Sequence, residues 1–350
     1  MFATSRWSPL LPGAILLLLL TLVVFSVSIG PIAISLTASV KALLTDWINW
    51  QLPVKNSDIL VVNNIRLPRT LLCLSVGCIL GLTGAVMQAV FRNPLADPGI
   101  IGVSSGAALG AGLGIVVFAD LLSAMPAWLQ LSTVSLFAFL FALIVCLLVY
   151  KLGTSSRGSS VMIMLLAGVA ISALAGAGMG MLNYIADDQS LRDLSLWQMG
   201  SMAGGNWISI TLTTVTALTL LLIFMPAAKA INILLLGDAE ARHLGLDVVA
   251  LKKRLIFSCA VGLGVAISAV GMVGFIGLII PHLVRLLVGP DHRRLLPLSA
   301  MLGALLLLLA DIIARTVMTP SEVPVGIITA LLGSPFFIFL LLQQRAKLGI

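Results

Sequence analysis

Polar residues in this chain come in short clusters between long apolar runs. Nine windows are almost wholly apolar: 11–33, 71–91, 99–119, 131–150, 161–183, 208–227, 255–272, 297–314 and 325–342. A helix crosses the hydrocarbon core of a bilayer with about 20 apolar residues, and each window is close to that length or beyond it. A tenth, FIGLIIPHLVRLLVG (275–289), is shorter and carries His282 and Arg285. Pro281 inside it is expected to break or kink the helix and free a backbone carbonyl that a neighbour must satisfy. The alternating segments of a membrane β-barrel are absent. The pattern predicts an all-α integral membrane protein with about ten transmembrane helices. It forms a single polytopic transmembrane domain over residues 1–350, with no room for a soluble domain. The first window is long enough to span and shows no cleavage site, so it reads as a retained helix.

Composition strengthens this picture. Hydrophobic residues make up 60% of the chain and charged residues 9%, where soluble domains carry about 25% charge; the mean hydropathy is +1.16. Cys73, Cys78, Cys146 and Cys259 all fall in apolar windows without a CxxC pair, which reads as small core residues, not disulfides or metal ligands. Lys and Arg fix the orientation. With ten spans and both termini cytoplasmic, only Lys41, Lys55, Arg66, Arg69, Arg192 and Arg315 fall outside; the rest, from Arg6 and Arg157 to Arg345 and Lys347, lie inside. The net charge of +7 then expresses membrane topology, not nucleic-acid binding.

Small residues mark two of the spans. Gly102, Gly106, Gly110 and Gly114 recur every four residues in the third, one face along which helix backbones can meet. Gly168, Ala175, Gly176, Gly178 and Gly180 mark the fifth, where close packing and a pathway-lining or dimer-facing surface both fit. No repeat between the two halves is evident.

One stretch breaks the pattern. LLLGDAEARHLGLDVVALKKRL (234–255) carries Asp238, Glu240, Arg242, Asp247, Lys252, Lys253 and Arg254. Its first part predicts a short helix with Asp238 as N-cap and Gly245 as its stop; LDVVALKKR predicts a second, leading into the next span. Such a segment is either a lever for another protein or a solvated loop. There is no GxxxxGK[ST] to cradle nucleotide phosphates, and no HExxH or Ser/His/Asp arrangement. Asp311 and Arg315, one turn apart, are the main intramembrane ionisable groups. A lone ion-coupled carrier usually shows buried acids or broken helices, so the energy source is expected on another polypeptide.

Four stretches together carry a resemblance: IRLPRTLLCLSVGCILGLTGAVMQAVFRNPLADPGIIGVSSGA, LLLGDAEARHLGL, GFIGLIIPHLVRLLVGPDHRRLLPLSA, and LLLLADIIARTV followed by SEVPVG. In order and spacing, from about residue 60 to 343, they resemble the FecCD/BtuC-type permeases, membrane subunits of ABC importers for vitamin B12, iron–siderophores and haem. The resemblance implies a BtuC-like type II importer fold in the bacterial inner membrane, among membrane lipid. Its partners are a second copy of the chain, two ATP-binding-cassette ATPase subunits and a periplasmic substrate-binding protein. This chain would bind no cofactor and no metal, ATP and Mg residing on the partner ATPase, and would be no enzyme itself.

The resemblance also implies roles for residues. Within 234–254, the residues Gly237, Asp238, Ala239, Glu240, Ala241, Arg242, His243, Leu244 and Gly245 would couple to the ATPase. Arg66, Arg69 and Arg315 would meet glutamates of the binding protein. Ser159, Ser160, Val161 and Met162 match the gate region, although Val161 and Met162 depart from the family's polar pattern. Gly168, Gly176 and Gly180 would line the pathway, and 187–207 resembles a short external helix. The cargo would be a bulky metal chelate. Overall resemblance favours haem, and Met162, Met164, Met179 and Met181 either suit a flat macrocycle or merely pack. The alternatives are an iron–siderophore or vitamin B12 permease, or an ATP-independent secondary transporter.

Overall fold

The computed structural model describes residues 10–45, 54–118, 126–155 and 158–348. Its helices are α1 (Leu11–Ser28), α2 (Leu36–Thr45), α3 (Asn56–Val90), α4 (Val103–Val117), α5 (Ala127–Gly153), α6 (Val161–Ile185), α7 (Asp188–Met199), α8 (Trp207–Leu234), α9 (Asp238–His243), α10 (Val248–Val270), α11 (Ile276–Val288), α12 (His292–Thr316) and α13 (Val325–Leu348). Among the described residues, α1, α3, α5, α6, α8, α10, α12 and α13 are long and apolar enough to cross a membrane, and α4 and α11 are shorter apolar helices. Each of the ten predicted windows therefore holds a helix. The first window is the least exact: α1 stops at Ser28, just before Gly30 and Pro31, and α2 follows as a helix the pattern did not predict.

The helices are arranged around α3. In its apolar window 83% of residues are buried, against 22% in α1 and 17% in α6, and α12, α8, α11 and α10 pack around it. Small residues make that possible. A Cβ added at Gly77 would run into the backbone of Gly303 and Ala304, and one at Gly81 into the Ser299 carbonyl. That register runs α3 and α12 antiparallel with their backbones in contact. At Gly84 the neighbour is the backbone of Gly277, in the first turn of α11. Close approach of this kind replaces the hydrophobic drive that helices lack in lipid. The four-residue glycine stripe of α4 does the same against α5: Gly106 and Gly110 face the Phe141 and Phe137 carbonyls, and Gly114 faces Val134. Packing is thus what that stripe serves.

Pro281 does not break its helix. α11 continues through it from Ile276 to Val288. Proline leaves the Gly277 carbonyl without its usual i+4 donor, and Gln88 of α3 turns its amide to this turn, 3.1 Å from the Leu278 oxygen and 3.5 Å from that of Gly277. The neighbour that a membrane proline needs is therefore on the central helix. Gln88 also accepts from Arg285 at 3.1 Å.

Between α5 and α6 the chain forms the one strand pairing among the described residues, a two-residue antiparallel ladder pairing Thr154 with Ser159 and Ser155 with Gly158. Arg6 and Arg157, counted on the inner side from the sequence, and the side chain of Ser159 lie outside the described residues.

Gly84→Val forces a branched side chain into the Gly277 backbone, an overpacking cost of about 1–3 kcal/mol. The apparent melting temperature of the purified protein in detergent is expected to fall. Gly13→Val, where nothing lies within 4 Å of an added Cβ, is expected to leave it unchanged.

Candidate functional site

The polar stretch 234–255 folds as α9 and the start of α10. α9 is six residues long, too short to hold itself together in water. Its end is fixed by glycine: Gly245 has φ +83°, its N–H donates to the Arg242 carbonyl, and the Leu246 N–H reaches back to Ala241. This is the reciprocal C-terminal pattern that a left-handed residue completes. Its start differs from expectation. Asp238 is the first helical residue, not the N-cap, which is Gly237 at φ +127° with no side-chain cap. The Asp238 carboxylate is turned to other work: it lies 2.6 Å from Lys252 Nζ of α10 and 3.2 Å from an Arg92 guanidinium nitrogen just beyond α3.

The nine residues singled out here divide into two faces. Ala239, Glu240, Arg242, His243, Leu244 and Gly245 are exposed, while Gly237 and Ala241 are buried and Asp238 is half-buried. A bond from Arg242 Nε to the Asp238 carbonyl holds that guanidinium along the helix surface. Close by in sequence order, the ends of α8 and α12 are joined by Asn232, which donates to Asp291 at 2.7 Å and accepts the His292 N–H at 2.9 Å. The Arg293 guanidinium beside Asp291 holds that carboxyl well below the usual carboxylate range.

Arg66 and Arg69 lie at the opposite end of α3, roughly 35 Å from Arg92 at 1.5 Å per helical residue. With Arg315 they were expected to face a partner. The structure buries all three, at 3%, 5% and 2% exposure, and spends their donors internally. Arg66 donates to the Val27, Ser28 and Ile32 carbonyls. Arg315 donates to the Ser26 and Ile29 carbonyls and to Ser26 Oγ, which also bonds Thr70. The carbonyls of Ser26, Val27 and Ser28 are ones that the end of α1 leaves without helical partners, and those of Ile29 and Ile32 follow just beyond it. Asp311, fully buried, lies 2.8 Å from Arg69 and 3.1 Å from Arg315, and Glu322 takes the other arm of Arg69 at 2.6 Å. The burial follows from position: Arg69 and Asp311 sit on the facing sides of the antiparallel α3–α12 pair. A recess of about 170 Å³ between Gly30, Pro31, Val61, Ile65 and Glu322 leads to the three guanidiniums.

The predicted gate residues lie where α6 begins. Ser160 is its N-cap, accepting the Ile163 N–H at 3.4 Å; Val161 is half-buried and Met162 is 71% exposed. Of the predicted pathway glycines, Gly168 is buried, whereas Gly176 and Gly180 are exposed, with nothing within 4 Å of an added Cβ. Met164 and Met179 are buried and Met181 exposed, so the methionines form no single surface.

Sequence reasoning missed Lys252, Arg92, Gln88 and Glu322. Lys252 left a trace, since it falls in line with Val248, Ile256 and Cys259, all buried: a lysine on an apolar stripe needs a partner. Arg92, Gln88 and Glu322 carry no such periodic signal.

Asp311→Asn leaves two buried guanidiniums facing one another without their carboxylate, a loss of about 3–5 kcal/mol for a broken buried pair. A large drop in the detergent melting temperature is expected, partly recovered when Arg315→Leu is added.

The FecCD transport family matches residues 17–343. Over 340 residues the chain is 42% identical to the hemin transport system permease protein HmuU of Yersinia pestis, covering 97% of each. It is 40% identical to the cobalamin import system permease protein BtuC of Halobacterium salinarum, covering 85% of this chain and 77% of that one. It is also 40% identical to the vitamin B12 import system permease protein BtuC of Klebsiella pneumoniae, over 82% of this chain and 84% of that one. A solved structure of a metal-chelate type ABC transporter in an inward-facing conformation superposes with a TM-score of 0.82 at 32% identity, covering 96% of this chain and all of that one. The family match runs through the buried α3, the exposed α9 and the paired α12 alike, and the chain belongs to the FecCD transport family.

Proposed function

We propose that this chain is the transmembrane permease subunit of an ABC importer, a single membrane-spanning unit that carries haem into the cytoplasm across the bacterial inner membrane, both termini on the cytoplasmic side. The observation that carries the reading is α9, a short helix locked to the bundle on one side while Glu240, Arg242, His243 and Leu244 are exposed on the other. A solvated loop needs no such division; a helix pressed by a separate ATPase does. ATP and Mg then belong to that ATPase, and this chain binds no cofactor and catalyses no reaction.

A second copy of the chain completes the pathway. α6 is the least buried of the long helices, and Leu166, Val169, Leu174 and Met181 are exposed along it beside the bare Gly176 and Gly180. Two such faces set together would enclose a surface of small and flexible apolar side chains, suited to a bulky chelate that must pass and not stay. The binding protein docks at the other end, at the surface of the recess beside Glu322, behind which Arg66, Arg69 and Arg315 lie buried and internally paired. Haem is favoured because the HmuU relative is described as a hemin permease and matches over nearly all of both chains. The BtuC relatives, at 40% identity, keep cobalamin as the second reading.

The test is uptake into proteoliposomes holding the permease, its ATPase and a loaded binding protein. Haem accumulation that requires ATP hydrolysis is expected; uptake driven by an ion gradient without ATP overturns the reading, and ATP-driven uptake of cobalamin but not haem selects the second cargo. Glu240→Ala with Arg242→Ala is expected to reduce ATPase co-purification about tenfold or more, the scale of a lost interface anchor. Gly245→Val strains the left-handed turn by roughly 1–2 kcal/mol and is expected to lower uptake. Normal transport by both variants would mean that α9 couples to nothing.

A further inference from the structure

The two faces of α9 raise the question of how a displacement applied to its outer side reaches the membrane. The apolar grip is slight, since Ala241 is the one buried side chain of the helix. Apart from the short chain links to α8 and α10, the side-chain attachment is electrostatic and converges on one carboxylate. Asp238 Oδ2 accepts a hydrogen bond from Lys252 Nζ at 2.6 Å, a side chain only 2% exposed, and Oδ1 lies 3.2 Å from Arg92, 40% exposed, in an ion pair without a hydrogen bond. Lys252 stands in the second turn of α10, which packs on α3, α4, α5 and α8. Arg92 follows the last turn of α3, the helix on which the rest of the bundle rests, and holds a positive φ of 50°, rare for a side chain of its size.

We propose that Asp238 is a positioning residue that carries motion of α9 into α3 and α10 at once, through Arg92 and Lys252, while the exposed residues of α9 serve only to grip the ATPase. This rests on the importer reading, and deepens it by separating gripping from transmission within one six-residue helix. The physical reason is stiffness. A buried lysine has a strong need for its carboxylate partner, because breaking the pair leaves an uncompensated charge. A lever built from one carboxylate shared by two helices moves both together, whereas a lone apolar contact would let α9 slip.

The experiment compares Asp238→Asn, Lys252→Met and the exchange Asp238→Lys/Lys252→Asp with Glu240→Ala/Arg242→Ala. Asp238→Asn and Lys252→Met are expected to retain the ATPase on co-purification while haem uptake per ATP hydrolysed falls about tenfold, the scale of a modest coupling free energy. The exchange is expected to restore a substantial part of that ratio. Spin labels at Leu244 and Asn93 supply a readout independent of transport: a narrow distance distribution is expected in the unsubstituted protein, and a broadened one in Asp238→Asn. Wild-type uptake per ATP with an unbroadened distance in Asp238→Asn overturns the proposal, as does a loss of ATPase as complete as in Glu240→Ala/Arg242→Ala. If no ATPase joins even the unsubstituted chain, the importer reading fails instead, and the label distance alone still decides whether Asp238 holds α9 to α3.

Discussion

Backbone-to-backbone contact along α3 is the constraint on which the other features depend. Lipid solvates leucine as well as protein does, so helices in a bilayer gain little by merely hiding apolar side chains from it. Gly77, Gly81 and Gly84 let α12 and α11 close on α3 until peptide groups touch. Once that contact is made, what lies at either end of α3 is placed with little freedom: Arg66 and Arg69 are pressed toward α1 and α12 at one end, and Gln88 and Arg92 toward α11 and α9 at the other.

Polar groups within this frame follow one rule, since in hydrocarbon an unpaired donor or acceptor costs several kcal/mol. Pro281 exposes carbonyls and Gln88 comes to them. The last turn of α1 exposes carbonyls and Arg66 and Arg315 come to those, with Asp311 balancing the charge of Arg315. Arg66, Arg315 and Asp311 stand out in the sequence while Gln88 does not, yet each answers a need created on another helix. The polar interior is a set of pairings across the bundle, from Ser26 with Thr70 to Ser75 with Thr213 at 2.7 Å.

That is also where the legibility of the sequence ends. Helix number and placement could be read because the bilayer imposes a length, and α4, α9 and Gly245 could be read because spacing and glycine chemistry are local. Asp238 was misplaced as a cap because its partners, Arg92 and Lys252, are distant in the chain or lie across a turn, and local rules reward a carboxylate at a helix start whatever else it faces. Topology placed the three arginines on the outer side and the family resemblance implied that they meet a binding protein; neither says which way a helix is rotated. Their burial depends on the α3–α12 register, which no local pattern encodes. α2 was missed for a related reason: ten residues are too few for a span, and its environment is set by the ends of α1 and α3.

The arginine caps on α1 set an order of assembly. α1 precedes both α3 and α12 in the sequence, yet its final turn is completed by Arg66 from α3 and by Arg315 at the far end of α12, and among the helices α12 is its principal contact. Before α12 is inserted, α2, α3 and Arg66 can already hold α1, while the Ser26 and Ile29 carbonyls still lack the donors of Arg315. The seat of α1 is therefore finished by a helix made more than 250 residues after it, so its final docking is a late step in the assembly of the bundle.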